Sequence, residues 1–193
     1  MNHTLTAPLL PLLLLSTAIY AADDTGLIAG VFSPPRPAPE FSLQGSGGAE
    51  LNIDTYNGKV VILGFGYTSC PNICPTTLAV LAEARRKLGP QAAELQVVYV
   101  TVDPQTDTAE QMRKYLASFD PTFIGGTGTE EELAAVRKEY GIIANKERYG
   151  DDYGYAHSSY TYLIDRDGKL RALMTYGHTA ADYVHDIKLL LKK

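Results

Sequence analysis

Val60-Val61-Ile62-Leu63-Gly64-Phe65 runs directly into Gly66-Tyr67-Thr68-Ser69-Cys70-Pro71-Asn72-Ile73-Cys74-Pro75, and the fold turns on this stretch. The apolar run shows no polar alternation, as expected of a strand buried on both faces. Residues 74–88 then place Leu78, Leu81, Ala82 and Leu88 near helical spacing, and Gly89-Pro90 stops them. The two cysteines therefore sit where a buried strand meets a helix. Three residues separate them, which is one helical turn, so both sulfurs can face one side. A helix N-terminus favours the thiolate form of a nearby cysteine. Pro75 fits a first-turn position, where its missing N–H costs little.

Outward from this junction, strand and helix patterns alternate. Before it, residues 33–39 carry Pro34, Pro35, Pro37 and Pro39 and read as an extended linker. Residues 41–43 and 51–53, around a glycine-rich turn, read as a short hairpin. After it, residues 95–102 form a second buried-type strand. Residues 106–119 predict a helix that Asp120-Pro121 ends, and residues 122–124 a short strand. Thr129-x-x-Glu132 is a capping box opening a helix that Gly141 closes. Residues 145–155 are polar and aromatic and read as an inserted loop or hairpin. Strands at 160–164 and 169–174 flank the turn Asp165-Arg166-Asp167-Gly168. Thr179-x-x-Asp182 caps a last helix reaching about Leu191. The order predicts an α/β protein of thioredoxin-like fold: a central mixed β-sheet flanked by helices, with an N-terminal β-hairpin extension.

The chain has 193 residues, which favours a single domain. Its 45% hydrophobic and 20% charged residues are ordinary for a globular protein. Lys and Arg total 17 against 22 Asp and Glu, a net charge of −5, so the basic footprint of a nucleic-acid binder is missing. Two cysteines exclude a disulfide-rich scaffold and an all-thiolate zinc site. Residues 1–22 hold no Asp, Glu, Lys or Arg, are rich in Leu at the centre, and end in small residues at Ala18, Ala21 and Ala22. They read as a secretory signal cleaved near Ala21 or Ala22, or as a short membrane anchor. The domain reading is thus signal or anchor over 1–22, Pro-rich linker over 23–39, and a thioredoxin-like domain over 40–193. Export, to a periplasm-like and oxidising compartment, lets two cysteines act as a disulfide or a reactive pair.

Two adjacent soft thiolates suit thiol–disulfide exchange or Cu(I) binding, and a plain structural disulfide is the third option. Spacing excludes several other chemistries. A thioredoxin redox motif has two residues between its cysteines, and haem attachment needs Cys-x-x-Cys-His. A peroxiredoxin would place Thr and Pro where Tyr67 and Leu63 stand. Of the histidines, His3 lies in the export segment, and His178 and His185 belong to the last helix, far from the motif. His157 closely precedes the strand at 160–164. If that strand runs antiparallel to 60–65, His157 lies beside Cys70 and Cys74, so a ligand role stands next to a purely structural one. Asp103 ends the strand at 95–102 on the same side, as a binding residue or a cap. Tyr149, Tyr153 and Tyr155 form a docking face or pack the loop.

Residues 66–75 resemble the signature of the Sco/SenC copper chaperones. Val100-Thr101-Val102-Asp103-Pro104 with Asp107-Thr108 is similar to that family's second block. Phe119-Asp120-Pro121 with 124–128 resembles its third, and His157-Ser158 before 162–165 its histidine block. The resemblance implies a periplasmic or membrane-tethered, thioredoxin-like protein that assembles the binuclear copper site of cytochrome c oxidase. It implies that Cys70, Cys74 and His157 bind one copper ion per chain, as Cu(I) or Cu(II), with Asp103 nearby. It implies as partners the oxidase's copper-bearing subunit and another periplasmic copper carrier. Asn72 and Ala156 stand where the family often has acids; neither is a ligand position, and both make the surroundings less negative. On this reading the chain is a metallochaperone rather than an enzyme, with auxiliary thiol–disulfide reductase activity. The alternatives are a thiol–disulfide oxidoreductase without physiological copper and a redox or copper sensor.

Overall fold

A computed structural model describes residues 26–149 and 152–192. Residues 1–22, expected to be an export signal or a short anchor, lie outside them. Ten strands and four α-helices occur among the described residues, and eight of the strands build one mixed sheet.

Its centre is the apolar stretch that opens the motif. β4 (Val60–Gly66) and β5 (Leu95–Thr101) are buried at every position and run parallel in unbroken register, Val60 opposite Leu95 through Gly66 opposite Thr101. β6 (Ile124–Thr127) continues the parallel set beside β5. On the other side, β9 (Thr161–Ile164) runs antiparallel to β4, and β10 (Lys169–Met174) antiparallel to β9. Such strands lack polar alternation because helices cover both faces. α1 (Ile73–Leu88) packs with α4 (Ala180–Leu191), and α2 (Ala109–Ala117) lies over β6. α3 (Glu130–Tyr140) sends Tyr140 against the rings of Phe65 and Tyr162. The expected thioredoxin-like architecture is the observed one.

The helix ends follow their sequence signals. Thr129 with Glu132, and Thr179 with Asp182, form complete capping boxes, and Gly141 closes α3 in the left-handed region at φ 67°. α2 starts three residues later than its sequence pattern suggests. The N–H groups of Thr106 and Asp107 bond the Asp103 carbonyl in a turn, and Thr108 caps the helix through the Gln111 N–H.

The hairpin β2 (Ser42–Gly45) and β3 (Glu50–Asn52) adds to the far edge of the sheet through β2 beside β6. The Pro-rich segment is extended but is not a free linker. Its residues Gly30–Pro37 form β1, the opposite edge strand, paired with β10 across an irregularity between Val31 and Arg36. Prolines lack a donor, so they are tolerated at an edge and at such irregularities. The extended backbone expected of 33–39 is observed, and the part of it up to Pro37 pairs at the sheet edge. Finally, β7 (Ala144–Tyr149) and β8 (Asp152–His157) form a separate two-stranded sheet.

Candidate metal centre

Both cysteines hang from the carboxyl end of β4. The backbone turns at Tyr67, whose carbonyl accepts the Cys70 N–H, and α1 begins at Ile73. Cys74, in the first turn of α1, is buried, while Cys70 is half-buried. Asp107 fixes the intervening loop. Its carboxylate accepts the Thr68 N–H (3.0 Å) and the hydroxyls of Thr68 (2.5 Å) and Thr101 (2.6 Å).

His157 reaches the same place from β8. Because β9 runs antiparallel to β4, with Gly64 opposite Thr161, the chain just before β9 arrives at the cysteine end of β4. His157 Nε2 lies 3.6 Å from Cys74 Sγ. His157 Nδ1 lies 3.0 Å from the Ser158 carbonyl. With Nδ1 turned to that carbonyl, Nε2 faces the sulfurs, so it is the nitrogen a metal there would take. The Tyr67 ring packs edge-on against the imidazole, centroids 5.9 Å apart.

Cys70, Cys74 and His157 offer ligand atoms that all lie within 4.8 Å of one another, the one such group among the described residues. Two sulfurs and one imidazole nitrogen are a soft donor set, suited to copper and poorly suited to magnesium or calcium. The thiols share charge unevenly. The Cys74 thiol donates to Cys70 and His157 bonds it too. The N–H groups of Asn72 and Cys74 also point at the sulfur, and together they push Cys70 down to about 3 against the cost of burial. Cys74 goes the other way, raised first by its bond to Cys70 and then by burial. The pair therefore holds one thiolate and one proton.

Asp103 is buried beside this group but outside it. Its carboxylate accepts the hydroxyls of Tyr153 (3.2 Å) and Tyr155 (3.4 Å), so it ties the β7–β8 hairpin to the end of β5. Tyr153 also lies under the Lys146 ammonium, 3.6 Å from its ring centroid. The Tyr155 N–H bonds the Tyr67 hydroxyl. These contacts make Tyr153 and Tyr155 packing residues of the hairpin. His178 and His185 pair with the acids Asp182 and Asp186 on α4 and are not members of the cysteine group. His3 lies outside the described residues. Sequence reading singled out neither Tyr67 nor Asp107 as a support. The spacing of Asp103 and Asp107 around a turn was the visible signal, but not that the second carboxylate clamps the motif loop.

Comparison with known proteins agrees with the geometry. The SCO1/SenC family model matches residues 33–192. A Stutzerimonas stutzeri protein, described as a candidate copper-binding protein, is 37% identical over 180 residues, covering 88% of this chain and 86% of that one. The SCO2-like protein of Rickettsia felis is 37% identical over 133 residues, which are 67% of this chain. The match spans 65% of that relative, just under two thirds of its length. Among solved structures, Bradyrhizobium japonicum ScoI with copper bound superposes with a TM-score of 0.75 at 34% identity, covering 81% of this chain and all of that one. A two-sulfur, one-imidazole cluster on a thioredoxin-like sheet, in a chain that the family model matches from residue 33 to residue 192, places this protein in the SCO1/SenC family.

Proposed function

We propose that this protein is a copper metallochaperone that serves the binuclear copper site of cytochrome c oxidase. The observation that carries the reading is the convergence of Cys70, Cys74 and His157 within 4.8 Å at the strand ends. Two thiolates suit Cu(I), and the imidazole lets the same site accommodate Cu(II). One ion is the cargo of each chain. Cys70 is half-buried rather than enclosed, so an incoming partner thiolate has access to it and displaces ligands one at a time. The Nδ1 bond to Ser158 keeps the imidazole aimed throughout.

The pair also has a redox reaction. The Cys70 thiolate attacks a partner disulfide and forms a mixed disulfide, releasing one partner thiolate. Cys74 then gives its proton to the first partner thiolate, attacks Cys70 Sγ and releases the second partner thiolate. The partner gains two electrons and this chain becomes a disulfide without metal affinity. Copper loading and redox state are thereby coupled. The partners are the oxidase's copper-bearing subunit and another exported copper carrier. Residues 1–22 direct the chain to the periplasm, as a signal or a short anchor, and the copper-binding domain starts with β1 at Gly30 rather than at residue 40. Among the described residues, no helix is long and apolar enough to cross a membrane. The thiolate held at Cys70 also favours a second reading, a thiol–disulfide oxidoreductase without physiological copper.

The test is to add one equivalent of copper to the reduced protein and measure stoichiometry and the thiolate-to-Cu(II) absorption band. One bound copper is expected, with the band lost in Cys70→Ser and weakened or shifted in His157→Ala. A reduced wild type that binds no copper overturns the chaperone reading, and a His157→Ala variant with full reductase activity then supports the oxidoreductase.

A further inference from the structure

Gly64 and Gly66 lie on one face of β4, two residues apart, and leave a strip of the sheet bare. Tyr99 of β5 stands opposite Gly64 in the register. A Cβ on Gly64 would meet the Tyr99 ring at 2.8 Å. A Cβ on Gly66 would meet the Tyr99 hydroxyl at 2.2 Å and Cys74 Sγ at 2.8 Å. The ring therefore leans across β4 along the strip instead of standing over its own strand. Its hydroxyl ends where the Cys74 sulfur ends, on either side of the missing Gly66 side chain. Any larger residue at 64 or 66 would close the path.

Tyr99 is 2% exposed, so its hydroxyl is out of reach of bulk water. A buried hydroxyl without a partner costs about 1–3 kcal/mol. The partner within reach is Cys74, because its sulfur and the Tyr99 hydroxyl both lie within 2.8 Å of the one point where a Gly66 Cβ would stand. Tyr115 provides the contrast: its hydroxyl is also buried but has no hydrogen-bond partner. Burial raises the Tyr99 phenol above its ordinary range, so it stays protonated and is a donor.

We infer that Tyr99 is a positioning residue of the cysteine–histidine centre, whose hydroxyl donates a hydrogen bond to Cys74 Sγ along the Gly64–Gly66 strip. For a bound copper ion, this rests on the metal reading above. The bond fixes the direction of the Cys74 sulfur and draws electron density from it. A thiolate ligand that accepts a hydrogen bond donates less to the metal, which favours Cu(I) over Cu(II). It also moves the sulfur-to-Cu(II) transition to higher energy. Without metal, the same bond favours the reduced pair over the disulfide, because a disulfide sulfur is a poorer acceptor.

The experiment compares the full reduced chain with Tyr99→Phe and Tyr115→Phe, each checked for cooperative melting. Cu(I) and Cu(II) are titrated separately, and the charge-transfer band is recorded. Tyr99→Phe keeps the ring in the strip and removes only the donor. Its band is expected at lower energy, and its preference for Cu(I) over Cu(II) about tenfold weaker, the worth of one bond to a charged acceptor. Tyr115→Phe is expected to match wild type in both. In a metal-free arm, the dithiol is equilibrated with oxidised glutathione, giving the disulfide and two reduced glutathiones. Tyr99→Phe is expected to shift that equilibrium about threefold toward the disulfide. If wild type binds copper but Tyr99→Phe matches it in band and in redox equilibrium, the inference is wrong. Equal shifts in Tyr99→Phe and Tyr115→Phe also overturn it. If wild type binds no copper, the metal reading falls by itself, and the glutathione arm decides Tyr99: a shift sustains the bond and no shift removes it.

Discussion

The junction of β4 and α1 and the hairpin β7–β8 each bring side chains of the Cys70–Cys74–His157 group to one place, but they are held by different means. The junction brings two sulfurs on a strand buried at every position, paired on both sides, with its loop clamped by Asp107. The hairpin brings one imidazole on two strands that pair only with each other. Its anchors are polar: Tyr153 and Tyr155 on Asp103, the Tyr155 N–H on Tyr67, and a reciprocal pair between Ile143 and Ser158. Buried apolar strands open only with global unfolding, whereas elements with few buried contacts open locally at lower cost. The thiolates are thus part of the scaffold, and the imidazole is on an arm that releases without unfolding the sheet. If the group holds copper as proposed, a carrier that must give up its cargo gains from that division, since the imidazole's arm is the part free to withdraw first.

The largest expected effect sharpens the junction side. Cys70 keeps its charge far into acid because Cys74, His157 and two backbone N–H groups bond its sulfur, and its pKa falls to about 3. Above that pH the thiolate population no longer changes. Alkylation of Cys70 by iodoacetamide should therefore stay nearly flat from pH 8 to pH 5. An ordinary thiol with pKa near 8.5 would slow about a thousandfold over the same range. A tenfold loss per pH unit would show that the junction does not hold a thiolate.

Next in size is the clamp. Asp107→Ala removes three hydrogen bonds to a buried carboxylate and strands the Thr68 N–H and the Thr101 hydroxyl. Unfolding in urea should show a loss of roughly 2–4 kcal/mol, the range for breaking a buried charged network. Copper affinity should fall as well, because the loop carrying Cys70 loses its tether. A stability change below about 1 kcal/mol would mean that β4 and α1 alone fix the loop.

How much of this contrast was legible beforehand differs between the two regions. β4, α1 and β5 announced themselves, since a run such as 60–65 admits few alternatives and the cysteine spacing follows from helix geometry. The antiparallel run of β9 against β4 was a conditional in the sequence, and with it the place of His157. The structure meets the condition through Gly64 opposite Thr161. What stayed hidden were contacts distant in sequence. Asp107 reaches 39 residues back to Thr68, and Tyr155 reaches 88 back to Tyr67. No local pattern encodes such pairs. The extended backbone of 33–37 is legible from its prolines but its pairing is not, because Leu170 and Lys169 of β10 supply the partners of Arg36 and Pro37 from far along the chain.

A smaller effect is expected from loosening the hairpin at its root. Asp103→Ala takes away the acceptor of both tyrosine hydroxyls and leaves the cysteines untouched. Cu(II) affinity should drop about tenfold, in the range for losing a residue that orients a ligand. Cys70 alkylation should hardly change. Amide exchange should accelerate over β7 and β8 but not over β4 and β5, because the opening is local. Equal acceleration in all four strands would break the comparison, since hairpin and sheet would then open together.

Tyr153→Phe is the finest cut. Tyr153 is 40% exposed, and its hydroxyl is divided between Asp103 at 3.2 Å and Thr106 at 2.9 Å. Its ring, which carries the contact with Lys146, survives the substitution. Tyr155 still holds Asp103. A half-exposed hydroxyl with a redundant neighbour is worth only about 0.5 kcal/mol, so copper affinity should change by about twofold or less. The same change made together with Tyr155→Phe should approach the Asp103→Ala value, because the two hydroxyls share one acceptor. Additive effects of the single variants would mean that each tyrosine holds its own part of the hairpin. A double variant weaker than the sum of the two would locate the anchor in Asp103 itself, the single point on which the imidazole's arm is fastened to the sheet.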